Sequence, residues 1–144
     1  MKKLKLDDKA AKVVREALRL DGVLPGADAA GITALFPNSG LYEYAPDEHV
    51  IEQDETGKDV YVLCLGKVAI AKTFGTAGAN LAHLTLGMVF GEMALLRDGV
   101  RVATAAAQST ARVFRLTAGD IAAVKESHPE LAAHLKELAA ERSS

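Results

Sequence analysis

Tryptophan is absent from this 144-residue chain, cysteine occurs once, and the remaining aromatics are four Phe and three Tyr. So few flat rings argue against a platform for stacking bases. The lone Cys64 excludes an internal disulfide and fits a reducing compartment. Set among Val62, Leu63 and Leu65, it reads as a small buried hydrophobe rather than a reactive thiol. No stretch approaches the roughly 20 apolar residues that a membrane span needs. The start, Met1-Lys2-Lys3-Leu4-Lys5-Leu6-Asp7-Asp8, is positive but has no apolar segment behind it, so no signal peptide is read and the expected location is cytoplasmic.

Lysine and arginine are missing from residues 21–57, which carry eight Asp/Glu, whereas residues 1–20 carry seven Lys/Arg against three Asp/Glu. The basic start reads as a solvated helix face. With a net charge of −2 and a pI near 6.1, nothing drives the chain by itself toward nucleic acid. Catalytic patterns are lacking too. His49, His83, His128 and His134 include no pair two apart on one strand, and the last two lie six apart, on different faces of a helix. With no Cys/His triad, no paired catalytic carboxylates and no nucleophile elbow, neither an enzyme nor a metal site is expected.

What is present suits one domain with one core. Asp7-Asp8 opens a helix, with Val13, Val14, Ala17 and Leu18 at helical spacing and Asp21-Gly22 closing the run. A second short helix is predicted at about residues 29–35. The texture then changes to short β-prone runs at 41–44, 49–52, 60–65, 67–73, 81–86, 102–106 and 112–116, with a flexible hairpin loop at 75–78. Thr117 or Asp120 caps a further helix, and His128-Pro129-Glu130 starts the last, where Leu131, Leu135 and Leu138 form one stripe. The expected fold is α+β: an antiparallel, jelly-roll-like β-roll of about eight strands, flanked by N-terminal helices and two C-terminal helices. Its parts are a helical segment at 1–36, the roll at 37–117 and the C-terminal helices at 118–144, together one domain.

The chemistry concentrates in residues 87–104. The chain leaves a strand, passes Gly91 and enters a helix of barely one turn at 92–96, then reaches Arg101 at the start of the next strand. Free amides and the positive dipole end of a helix suit an anion, and Arg101 adds a forked, permanently charged donor. Glu92 would repel a phosphate, so it needs a hydroxyl to accept from. A phosphate next to a vicinal sugar hydroxyl describes a ribose phosphate.

Phe90-Gly91-Glu92-Met93-Ala94-Leu95-Leu96, with Arg101 nine positions after Glu92 and Ala103-Thr104 behind it, closely resembles the phosphate-binding cassette of the cyclic-nucleotide-binding family. Members include the cAMP receptor protein and the regulatory subunit of protein kinase A. Tyr44-Ala45-Pro46, Val50-Ile51, Gly57, Val60-Tyr61-Val62-Leu63 and Gly66-Lys67-Val68 extend the resemblance outward. It implies that Glu92 accepts from the ribose 2′-hydroxyl and that Gly91, Met93 and Ala94 present amides to sugar and phosphate. Arg101 would pair with the cyclic phosphate, with Val102, Ala103 and Thr104 completing the site. No prosthetic group is implied; the ligand would be cAMP, with cGMP less favoured. Partners would be the cyclic nucleotide and, through the C-terminal helices, a second copy or an effector protein.

Three departures from the family pattern carry expectations. Val102 replaces a residue that often bears a hydroxyl, which weakens binding and leans away from cGMP. Asp47 and Asp54 stand where glycines are usual, at turns whose unusual backbone angles they tolerate. Gly99-Val100 replaces a common proline, leaving Arg101 less rigidly placed. The competing reading is a ligand-free interaction or dimerisation module that keeps the fold.

Overall fold

The computed structural model describes residues 1–74, 77–92 and 99–143. Asp7 caps helix α1 (Asp8–Ala17) by accepting from the Ala10 amide at 2.7 Å, and Ala10, Ala11, Val14 and Leu18 turn inward. A single 3-10 turn (Leu20–Gly22) follows, entered through Arg19 in the left-handed region. Asp28 caps α2 (Ala29–Leu35) in the same way, accepting from Gly31 at 2.9 Å. Thr117 caps α3 (Ala118–Ser127) through Asp120, and α4 (Pro129–Ser143) begins at its proline.

Between the helix pairs lie two antiparallel sheets. The strands are β1 (Lys2–Leu4), β2 (Gly40–Tyr44), β3 (His49–Ile51), β4 (Val60–Leu65), β5 (Val68–Phe74), β6 (Ala77–Leu84), β7 (Val89–Phe90), β8 (Thr104–Ala107) and β9 (Ala111–Leu116). One sheet runs β1-β2-β9-β4-β7 and the other β3-β8-β5-β6. The expected α+β roll is therefore present, with nine strands among the described residues. Two differences stand out. Lys2–Leu4, placed within a helical segment by the sequence reading, forms a strand on β2, Leu4 opposite Leu41. The pair Val89–Phe90 forms a two-residue strand on β4, too short to show a period.

The centre of the first sheet is buried on both sides, and β4 shows how. Val60, Val62 and Cys64 face the helices, packing with Val14, Leu18, Ile32, Phe36, Phe114 and Leu116. Tyr61 and Leu63 face the second sheet, packing with Val68, Leu84, Phe90, Ala105 and Val113. Each fully buried large apolar side chain contributes about 1.5–3 kcal/mol relative to exposure. The last helix adds Leu131 and Leu135 to the helical core, whereas the side chain of Leu138 lies outside the described ones. Among the described residues no helix is long and apolar enough to cross a membrane.

Burial pushes the Cys64 thiol up to about 12 from its ordinary 9.0, against a small opposing backbone hydrogen bond, and pushes the Tyr44 phenol up to about 12 from 10.0. Both groups thus keep their protons in the folded state after the unfolded chain has lost them. Their contribution to stability is complete below pH 9 and drains away as pH rises from 9 toward 12. Urea midpoints measured from pH 8 to 11 are expected to fall with that onset. Cys64→Ala is expected to remove the part of the decline that begins near pH 9; an unchanged decline would refute the assignment to the thiol.

Candidate anion-binding site

Arg101 is held by a short ladder at the mouth of the roll. Its amide donates to the Glu55 carbonyl and its carbonyl accepts from the Asp54 amide, both at 2.8 Å. One step further, Gly57 donates to the Gly99 carbonyl at 2.7 Å, around a bridge between Thr56 and Val100. Although Gly99-Val100 stands where a proline is common, backbone pairing on both sides of it places the arginine. The turn residues Asp47 and Asp54 both adopt φ +72°, the left-handed conformation for which glycine is otherwise favoured. Gln53 locks the adjoining loop to the second sheet, donating to the Thr73 carbonyl at 3.1 Å and accepting from the Thr73 amide at 2.8 Å.

The Arg101 side chain is 7% exposed. Nη1 donates to the Gly91 carbonyl at 3.0 Å and Nη2 to the Asp59 carbonyl at 2.9 Å. The guanidinium lies against Gly57 and stands 5.9 Å from the centre of the Tyr61 ring, which stacks on Phe90 at 5.3 Å. Among the described residues no carboxylate forms an ion pair with it. Burial accordingly pushes Arg101 below its ordinary range, opposed by the more distant charges of Tyr61, Asp59 and Glu92. A buried cation bonded to neutral carbonyls is an electrostatic environment prepared for an anion.

Gly91 makes the approach possible. Its φ is +84°, and a β-carbon there would sit 3.0 Å from the Asp59 carbonyl oxygen and 3.1 Å from Nη1 of Arg101. Glu92 follows at 1% exposure. The structure thus brings Gly91, Glu92 and Arg101 together at the end of β7. Met93 and Ala94, and most of the short helix expected at 92–96, lie outside the described residues, as do residues 75 and 76 of the expected hairpin loop. Val102 and Ala103 are half-buried. The Thr104 hydroxyl accepts from the Gln53 amide at 3.0 Å.

Asp59 was not singled out by sequence reasoning, though it lies between Gly57 and Val60-Tyr61, which were. Its carboxylate accepts from Arg115 at 2.7 Å and from the Ala118 amide at 2.9 Å. A cleft of about 310 Å³ opens on this side, but Glu52, Glu55 and Asp59 line it alongside the two arginines, which disfavours an anion there. Among the described residues no cluster of His, Cys, Asp or Glu could hold a metal ion.

Comparisons with known proteins agree with this geometry. The family model described as "Cyclic nucleotide-binding domain" matches residues 41–128. A cAMP-dependent protein kinase regulatory subunit from Mycosarcoma maydis is 31% identical over 100 residues, 61% of this chain and 19% of that protein. A hyperpolarization-activated cyclic nucleotide-gated channel 2 from Mus musculus is 27% identical over 116 residues, 81% of this chain. The match spans only 13% of that channel's length. Among solved structures, the Thermus thermophilus catabolite activator protein superposes with a TM-score of 0.73 at 28% identity, covering 88% of this chain and 57% of that one. A cyclic nucleotide-binding domain from Methylobacillus flagellatus superposes at 0.75 with 17% identity, covering 94% of this chain and 79% of that one, which is a likeness of fold alone. With the model matching well over half of the chain, and the roll, glycine, glutamate and arginine in place, this protein belongs to the cyclic nucleotide-binding domain family.

Proposed function

We propose that the domain is a cAMP sensor without catalytic activity, in which nucleotide capture is passed to the C-terminal helices. The carrying observation is Arg101: a buried guanidinium whose hydrogen bonds, among the described residues, go to two neutral carbonyls and not to a carboxylate. In this reading the cyclic phosphate takes the guanidinium, exchanging neutral carbonyl acceptors for an anionic one in a charge-assisted pair. Glu92 accepts from the ribose 2′-hydroxyl, and the amides of Gly91, Met93 and Ala94 meet sugar and phosphate. Val102, Ala103 and Thr104 border the phosphate. The ligand shifts a pre-existing equilibrium of α3 and α4, because it binds one arrangement better than the other. A second copy or an effector protein would read the outcome from those helices.

The preference for cAMP rests on Val102, which offers no hydroxyl, and on the kinase regulatory subunit as a relative. Calorimetric titration of the protein with cAMP and with cGMP tests it. Binding of cAMP at micromolar levels or tighter is expected, with cGMP weaker. Val102→Ser is expected to tighten binding by up to about tenfold, one neutral hydrogen bond. Neither heat nor thermal shift with either nucleotide would refute the sensor and leave an interaction module that keeps the fold.

A further inference from the structure

We infer that Asp59 is the positioning residue by which α3 reads the occupancy of the phosphate site, an inference that rests on the nucleotide-binding reading above. The argument starts from two ends of one residue. The Asp59 carbonyl accepts from Nη2 of Arg101 at 2.9 Å. The Asp59 carboxylate accepts from the Ala118 amide at 2.9 Å, one of the donors that the start of α3 leaves without an intrahelical partner. Its second oxygen holds Arg115 at 2.7 Å. Burial alone would lower Arg115, and the Asp59 carboxylate overrides it, so this guanidinium has the carboxylate partner that Arg101 lacks among the described residues.

The surroundings decide which way Asp59 yields. On its C-terminal side the chain enters β4 at once, with Val60 opposite Leu116, so there is little freedom. On its N-terminal side Lys58 and Gly57 lead to the ladder beneath Arg101. The opposite side of the first turn of α3 is tied elsewhere. The Asp120 carboxylate, 2% exposed, accepts from the Asn38 amide at 2.9 Å, the Asn38 side chain at 3.1 Å and the Ser39 hydroxyl at 2.6 Å. The first turn of α3 therefore hangs from two carboxylates. Asp120 is anchored to the turn before β2, whereas Asp59 is anchored to the arginine that a phosphate would claim. When the guanidinium turns to the phosphate, the Asp59 carbonyl loses its donor. The residue readjusts, and the Ala118 bond changes while the Asp120 anchor stays.

Amide hydrogen exchange followed residue by residue on the full chain tests this in two arms. Without nucleotide, Arg101→Ala is expected to speed exchange at Ala118 by about tenfold, the worth of one hydrogen bond to a charged group. Asn38, on the Asp120 anchor, should stay within about twofold, which also reports that the fold is intact. Should that variant fail to fold, Arg101→Lys keeps the charge but not the fork, and should show the same selective rise. With cAMP, the Ala118 resonance should shift in the wild type and stay still in Asp59→Ala that binds the nucleotide. Asp59→Asn keeps an oxygen for Ala118 and is expected to restore the response. Ala118 exchange unaffected by both arginine variants, or an undiminished response in Asp59→Ala, overturns the inference. A wild type that takes up no cAMP in the calorimeter overturns the sensor reading and the coupling with it, and is told apart by the binding heat itself.

Discussion

Arg101→Ala is expected to weaken cAMP binding at least tenfold, and by about 2–5 kcal/mol if the pair is fully desolvated. The large effect follows from where the charge sits. At 7% exposure the guanidinium is shielded from water, and its Nη1 is one of the atoms closest to Gly91. The same substitution acts on the empty protein in two opposed ways. It leaves the Gly91 and Asp59 carbonyls without their donor, at about 1–3 kcal/mol for each group that stays buried and unsatisfied. It also relieves the burial of a cation that, among the described residues, has no paired carboxylate. Thermal unfolding without nucleotide measures the difference of these terms, and calorimetry with cAMP measures the loss of the ligand. An Arg101→Ala protein that binds as the wild type does would sink the site assignment.

Gly66→Ala is expected to destabilise the fold by more than about 3 kcal/mol, a class of effect that only strain or serious overpacking produces. Gly66 turns β4 into β5 at φ +83°, and the left-handed conformation alone costs an alanine about 1–2 kcal/mol. The rest comes from the neighbouring turn between β8 and β9. A β-carbon on Gly66 would lie 2.2 Å from the Thr110 carbonyl oxygen, 2.8 Å from the Ser109 hydroxyl and 3.1 Å from the Ala111 α-carbon. Two of these are backbone atoms, so relief means moving one turn away from the other. The Lys67 amide bond to the Ser109 hydroxyl at 3.1 Å would move with it. At about 2–4 °C per kcal/mol or somewhat more for a chain of this size, the melting temperature should drop by roughly 10 °C. Gly119→Ala supplies the control. A β-carbon there meets nothing within 4 Å, and the position lies in the first turn of α3, so the change should be neutral or mildly stabilising. Equal melting temperatures for the two variants would contradict this account of Gly66.

Local chemistry explains what could be read in advance. Asp7, Asp28 and Thr117 announce their helices because a short oxygen-bearing side chain satisfies an amide only a few residues ahead. Val60–Leu65 announces its strand by six consecutive β-prone residues, and the cassette by fixed spacing within one stretch of chain. What escaped depends on partners far away in sequence. Lys2–Leu4 has no period of its own and is a strand only because Leu41 to Glu43 offer an edge. The run expected at 102–106 is a strand at Thr104–Ala107, although it is mostly alanine, a poor strand former. Pairing on both sides and the burial of Ala105 and Ala107 against the other sheet override that preference. Asp59 escaped for the same reason: its partners Arg101, Arg115 and Ala118 lie 42 to 59 positions away.

The order β1-β2-β9-β4-β7 has a mechanical meaning. The C-terminal helices continue from β9, and β9 is the middle strand of its sheet, gripped by β2 on one side and β4 on the other. Tension applied through α4 first meets two helices, then a strand that must shear along both flanks at once instead of peeling from an edge. The helical end is thus mounted at the centre of the sheet, on a strand held along both flanks, and not at an edge.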